Sequence, residues 1–353
     1  MTPVALPERV TQDRIIALFR DRLGYRYLGN WIDRPDNRNI EPDLLSAWLT
    51  KCGYSKDHIS RATYALRAEA DNFSRKLYDN NQAVYGLLRY GVKVKLAAGE
   101  NTETVHLVDW DHPAKNDFAI AEEVTLKGGH ERRPDLVLYI NGIAFAVIEL
   151  KKSTTTLGDG IRQLLSNQQP EFNAWFFSTV QFVFAGNNSE GLQYGTIGTE
   201  EKYFLRWKED EEDNQGYKLD KYLAKMCDKK RALELMHDFV LFDGGQKKLP
   251  RVHQYFGIKA AQEHARQKKG GIIWHTQGSG KSIVMVLLAK WILENNPNAR
   301  VAIITDRDEL DKQIERVFQQ AGEAIARTNS GRNLMRLLGQ AAPRLLCSLV
   351  HKF

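Results

Sequence analysis

The chain has 353 residues, enough for two domains, and its 42% hydrophobic and 10% aromatic content excludes a disordered polypeptide. Its net charge of +6 favours polyanionic partners, nucleic acid above all, without requiring one. The scattered cysteines Cys52, Cys227 and Cys347 argue against a zinc site or disulfide framework and fit a cytoplasmic protein; the charged start and the lack of any apolar run near ~18 residues argue against a secretory leader or membrane span.

In chain order, Ile15, Ile16, Leu18, Phe19 and Leu23 follow helical spacing over residues 11–23, and Gly24 ends the pattern. Further helices are expected over 43–48 and 58–88. Strand-like stretches follow at 92–96, 104–108, 119–126, 135–140 and 143–151, the last two separated by Asn141-Gly142, a strong hairpin signal. A helix over 158–167 precedes an apolar strand at 180–185. The acidic run from Lys208 to Asp213 reads as a solvated loop, and a helix over 218–242 leads to Gly244-Gly245, the expected domain boundary. Beyond it, strand 272–274, helix 281–295, strand 301–305 and helix 308–320 alternate, the order of a parallel-sheet nucleotide-binding fold.

The stretch from His275 to Ser282 joins that first strand to its helix. A phosphate-binding loop needs backbone N–H groups curled around phosphate oxygens, which suits Thr276, Gln277, Gly278, Ser279 and Gly280. Lys281 would reach the β- and γ-phosphates of ATP, and Ser282 would help hold Mg²⁺. His275 stands where the strict pattern has glycine. Turnover also requires an acidic residue ending a later strand; between Ser282 and Phe353 the only acidic cluster, 306–311, opens a helix instead. The chain is therefore expected to bind nucleotide weakly at best and not to hydrolyse it.

The sharper signal is the hairpin from Arg132 to Lys151. It is apolar on both faces apart from its turn, the mark of strands in the middle of a sheet, and against that background Asp135, Glu149 and Lys151 stand out. Glu149 and Lys151 share a face, whereas Lys152 turns to the other. A two-residue turn would pair Asp135 with Ile148 and put it on the wrong face; a three-residue turn over 140–142 would pair it with Val147, diagonal to Glu149. The three-residue turn is expected, although a bulge elsewhere in either strand would serve equally. Converging Asp135 and Glu149 would bind Mg²⁺, with Lys151 orienting water or neutralising charge on a scissile phosphate. A buried salt bridge is the plain structural alternative.

Pro134-Asp135 with Glu149-Leu150-Lys151 resembles the PD-(D/E)xK nuclease signature. The wider context is similar to the restriction subunit of type I restriction–modification enzymes: Asn116-Asp117-Phe118, the stretch from Arg132 to Gly142, and the stretch from Val147 to Lys152. His253-Gln254-Tyr255-Phe256, Trp274 to Ser282 and Thr305 to Gln313 resemble the opening superfamily 2 helicase motifs of the same subunits.

The resemblance implies an α/β chain: a PD-(D/E)xK nuclease fold, a mixed β-sheet flanked by helices, over 1–243, then a partial RecA-like P-loop lobe over 244–353 that stops before the Walker B motif. It also implies Gln163 as a site residue on the helix after the lysine, with Asn167 where family members carry tyrosine, and Gln254 as an adenine reader; a plain surface glutamine at 163, and a helix-capping or surface glutamine at 254, are the structural alternatives. In the longer enzyme, ATP-driven translocation of double-stranded DNA precedes cleavage, and modification and specificity subunits select the target. Arg132, Arg133, Lys152 and Arg162 surround the motif and are candidates for phosphate contact. Alternatives are a nuclease–helicase fusion of another repair or phage-defence system, and a non-catalytic nucleotide-binding scaffold.

Overall fold

A computed structural model describes residues 7–97, 99–209, 216–320 and 322–352. The acidic loop expected from Lys208 to Asp213 falls largely outside them. The chain divides into two compact units, Met1–His237 and Asp238–Phe353.

The first unit begins with α1 (Glu8–Ala17), continued by a π-helical turn over Leu18–Arg22, then β1 (Arg26–Asn30), α2 (Pro42–Lys51), α3 (Lys56–Ala70) and α4 (Leu77–Tyr90). The short pair β2 (Val92–Val94) and β3 (Glu103–Val105) precedes β4 (Phe118–Glu122), β5 (Leu136–Ile140) and β6 (Ile143–Leu150). Next come α5 (Leu157–Asn167), β7 (Phe182–Asn187), β8 (Gly191–Gly195), α6 (Lys218–Met226) and α7 (Lys229–Asp238).

Two expected long helices are each broken in two. Asn72 Oδ1 accepts from the Ser74 N–H at 3.1 Å, a local side-chain turn that competes with helix and separates α3 from α4. Asp228 Oδ1 accepts from the Arg231 N–H at 3.1 Å and so caps α7 as a fresh start after Cys227. The remainder of the expected second helix, near Phe242, is strand.

Six strands form one sheet in the order β1-β4-β5-β6-β7-β8. β1/β4 and β6/β7 run parallel and the other neighbours antiparallel. The fully buried strands β4, β5 and β6 lie inside it, as their two-sided apolar sequence requires. One face carries Val137, Val147 and Val183 beneath Ile161 and Leu164 of α5, closed by Phe176 and Phe177. On the other, Phe19, Tyr25, Phe118 and Phe145 form a chain of ring contacts with centroids 5.0, 5.2 and 6.0 Å apart.

The β5–β6 turn corrects one expectation. Ile140 pairs with Ile143, so the turn has only the two residues Asn141 and Gly142, with φ of 53° and 82°. Both left-handed angles match the twist of the strands, and the Asn141 side chain donates to Leu107 O at 3.0 Å and Asn116 Oδ1 at 2.9 Å. A three-residue turn would forfeit these bonds. The extra residue sits further along: Tyr139 pairs with Ala144 but Leu138 with Ala146, leaving Phe145 as a bulge.

The second unit contains a hairpin of β9 (Leu241–Asp243) and β10 (Gln246–Lys248), then α8 (Val252–Arg266), α9 (Lys281–Asn295), β11 (Val301–Thr305) and α10 (Asp308–Gln320). It ends with β12 (Ala326–Arg327), α11 (Gly331–Leu338) and β13 (Leu345–Leu349), and its three parallel strands are ordered β11-β13-β12. Gly244-Gly245, the expected boundary, is the turn of the β9–β10 hairpin. Residues 272–274, expected as a strand, are not one. A strand exists only through pairing, and among the described residues no strand pairs with them; Ile272 and Trp274 are exposed.

Candidate active site

The Phe145 bulge sets the register that matters. Above it Leu136 pairs with Ile148, so one step further Asp135 stands opposite Glu149. The pair is thus direct, where the sequence suggested a diagonal. Asp135 Oδ2 accepts from the Leu150 N–H at 2.6 Å, which pins the carboxyl against β6. Glu149 is 1% exposed and Asp135 9%.

Lys151, just past β6, donates from Nζ to Glu149 Oε1 at 2.7 Å and to Gln163 Oε1 at 2.8 Å. Gln163 is brought in by α5, which crosses this face of the sheet. Gly160 lets α5 lie close to the lysine, since a Cβ there would crowd Lys151 Cγ at 3.3 Å. Asp135, Glu149, Lys151 and Gln163 therefore form one cluster. Asn167, one turn after Gln163, is fully buried and neither its Nδ2 nor its Oδ1 has a hydrogen-bond partner.

Burial pushes both carboxyls toward the protonated form: Asp135 is raised to about 7 and Glu149 to about 8, the latter helped by the facing Asp135. Burial pulls the Lys151 ammonium down, but Glu149, Asp135 and Glu8 outweigh it and the net shift is upward.

Two acids not singled out in the sequence bear on the cluster. Glu8, at the start of α1, raises both carboxyls through its charge, and Glu123 adds to the effect on Asp135. Glu123 follows β4, its N–H donating to Asp135 O at 2.8 Å, with φ at 51°. Gln12 Nε2 ties it to α1 at 3.1 Å. A visible signal was present: Glu122-Glu123 closes an otherwise apolar strand.

Hard carboxylate oxygens suit Mg²⁺, and Glu149 Oε2 is a buried oxygen with no partner. Two facing carboxyls that burial holds toward the protonated form would be charged at lower pH with a divalent cation between them. Among the described residues no group of three or more His, Cys, Asp or Glu is arranged to hold a metal. Asp135 and Glu149 alone would suffice for an ion that keeps several waters and takes substrate oxygens.

Of the flanking basic residues, Arg133 pairs with Glu123 at 2.8 Å and Arg162 with Asp159 at 2.6 Å and Glu201 at 2.7 Å. Lys152 is exposed, and Arg132 lies over the Phe172 ring.

In the second unit, Gly278 and Gly280 take φ of 76° and 82°, and Lys281 begins α9. Lys281 Nζ donates to Thr276 O at 3.0 Å and His275 O at 3.3 Å, so the loop curls around its own lysine. Thr276, Gln277 and Gly278 are exposed, whereas Ser279 is buried. The Gln254 side chain is bonded within the unit: its Oε1 accepts from the Arg251 N–H at 2.8 Å, and Nε2 donates to Ser279 O at 3.0 Å and Gly280 O at 3.3 Å. It caps α8 and supports the loop from beneath. Asp311 is likewise structural, buried between Arg327 and the Cys347 thiol, which donates to it at 2.7 Å.

Comparisons with known proteins agree with this layout. Residues 5–202 match the family described as type I restriction enzyme R protein N terminus, and residues 253–353 match the SWI2/SNF2 ATPase family. The HindI type I restriction enzyme endonuclease subunit of Haemophilus influenzae is 29% identical over 274 residues, covering 70% of this chain and 26% of that protein. A provisionally assigned type I restriction enzyme endonuclease subunit, MjaIXP, of Methanocaldococcus jannaschii is 27% identical over 360 residues, covering 90% of this chain and 32% of that protein. The chain thus spans between a quarter and a third of these relatives' length. With more than half of its residues matched, the chain belongs to the type I restriction enzyme R protein N-terminus family.

Proposed function

We propose that the first unit is a PD-(D/E)xK nuclease that hydrolyses phosphodiester bonds of double-stranded DNA, within the restriction subunit of a type I restriction enzyme. The observation that carries this reading is the cluster made by the Phe145 bulge: two facing buried carboxyls, one with an orphaned oxygen, and a lysine shared between Glu149 and Gln163.

Asp135 and Glu149 would hold Mg²⁺. When bound, the ion supplies Lewis-acid stabilisation of charge on the phosphate and lowers the pKa of bound water. The protein's own part is to keep that place dry and fixed. The Leu150 N–H orients Asp135, and Lys151 holds Glu149 on one side. Lys151, anchored by Gln163, presents an ammonium that orients water and offsets negative charge developing on phosphate oxygens.

The second unit is proposed to be the beginning of a RecA-like motor lobe, with residues 276–282 binding ATP·Mg²⁺. In the longer enzyme, ATP hydrolysis would move DNA in the cytoplasm, with separate modification and specificity subunits choosing the site. The relatives named as type I endonuclease subunits support this assignment.

The test is nicking of supercoiled DNA with Mg²⁺ or Mn²⁺ by the native chain, Asp135→Ala and Lys151→Ala. Metal-dependent nicking lost in both variants is expected. Nicking that survives both substitutions would place the activity elsewhere, and the cluster would then be a buried salt bridge.

A further inference from the structure

A nuclease must hold the DNA on either side of the phosphate it attacks, and bare basic residues are the means. Most arginines around the cluster are already neutralised: Arg133 by Glu123, Arg162 by Asp159 and Glu201, and Arg9 by Glu122 and Asp13. Arg132 differs. Its guanidinium carbon lies 4.0 Å from the centre of the Phe172 ring, and among the described residues no carboxylate pairs with it. Stacking on a ring face fixes the plane of an arginine while leaving its N–H edge free to donate.

The mount is firm. Leu126 and Arg132 exchange backbone hydrogen bonds of 2.7 and 3.1 Å at the base of a small arm over 127–131. The arm lies directly on the segment carrying Phe172: Cβ atoms at Gly128 and Gly129 would fall 2.5 Å from Asn173 Oδ1 and 2.3 Å from Glu171 O. The Asn173 amide donates to His130 O at 3.2 Å. Only glycine permits so close a seating, and the exposed Lys127 sits on the same arm. Arg132 is three residues before Asp135, so even a fully extended chain puts it no more than about 10 Å from the cluster. At ~3.4 Å per nucleotide along one strand, that is within about three nucleotides of the bond attacked.

We propose that Arg132, held flat by Phe172, binds a backbone phosphate of duplex DNA flanking the scissile bond. The inference rests on the nuclease reading for its meaning but not for its test. A labelled duplex of arbitrary sequence is titrated by anisotropy in EDTA, where no cleavage occurs, over a range of NaCl concentrations. Arg132→Ala is expected to weaken binding several-fold and to reduce the slope of log K against log salt by about 0.9, the loss of one phosphate contact. Arg132→Lys should keep the slope but bind more weakly. Phe172→Leu should also weaken binding with the slope intact, because charge remains and only its orientation is lost. Arg162→Ala, already neutralised, should change neither quantity.

An unaltered slope in Arg132→Ala with an unaltered melting temperature overturns the proposal. So does an equal loss in Arg162→Ala, or a native chain that binds no DNA even at low salt. Normal binding loss in Arg132→Ala, alongside a native chain that never nicks DNA with metal, would retain the phosphate contact and discard the nuclease reading.

Discussion

Replacing Asp135 by asparagine is expected to stabilise the metal-free protein, and by an amount that depends on pH. Asparagine keeps a carbonyl oxygen for the Leu150 N–H, which lies 2.6 Å from Asp135 Oδ2, and removes the charge facing Glu149. In the fold Asp135 keeps its proton up to about 7, against an ordinary 3.8. Below that ordinary value the carboxyl is protonated whether folded or not, and it costs nothing. As pH climbs from 4 to 7 the unfolded chain ionises first, so native stability falls by ~1.4 kcal/mol per pH unit, to about 4 kcal/mol in all. Glu149, raised to about 8, extends the loss in the same direction. For a unit of this size 4 kcal/mol corresponds to roughly 10 °C of melting temperature. Thermal melts in EDTA should therefore show Asp135→Asn close to the native chain near pH 4.5 and well above it at pH 8. Adding Mg²⁺ at pH 8 should raise the native chain and leave the variant nearly unmoved. A gap that is the same at both pH values, or a variant less stable at pH 8, would refute the argument that burial and the facing carboxyl control this pair.

Three further outcomes are expected. Gly160→Ala places a Cβ 3.3 Å from Lys151 Cγ, so it should reduce metal-dependent nicking while circular dichroism and melting stay near native. Asn167→Leu removes two buried polar atoms that lack partners and should raise stability by about 1–3 kcal/mol in urea titrations; destabilisation would mean that those atoms are bonded in solution. This 353-residue chain should show no DNA-stimulated ATP hydrolysis in a phosphate-release assay, because Asp311 is held by Arg327 and Cys347 and the other acids of the 306–311 cluster lead into α10.

The central hairpin was legible because two physical rules meet in it: apolar residues on both faces mean a buried strand, and ions in such a strand need a reason to be there. That reasoning singles out Asp135, Glu149 and Lys151, which the fold brings together. The turn was misjudged because face parity shows that an irregularity is needed without saying where; Phe145 absorbs it, and nothing in an alanine- and isoleucine-rich strand marks the bulged residue beforehand. Gln163 came only through resemblance, since one glutamine on a helix has no periodic signature. Glu122-Glu123 stands out at the end of an apolar strand, but that Glu8 and Glu123 face the cluster follows from tertiary packing of α1 and β4, which no local pattern encodes. For Gln254 the sequence leaves an adenine contact and a helix cap both open, and the fold shows the cap, with its amide bonded to Arg251, Ser279 and Gly280.

The bulge at Phe145 makes the alignment of Asp135 with Glu149 a matter of counting as well as of chemistry. Delete Phe145, and Tyr139 still faces Ala144 while Leu138 still faces Ala146, now on an unbroken ladder with the same two acids opposed. Insert one more residue beside it, and a second irregularity is needed or the acids slide out of register. Losing a residue here keeps the acids opposed but removes the Phe145 ring that packs on Phe118, whereas gaining one disturbs the acids themselves, so spacings between the aspartate and the glutamate should shorten only where the core beneath is repacked.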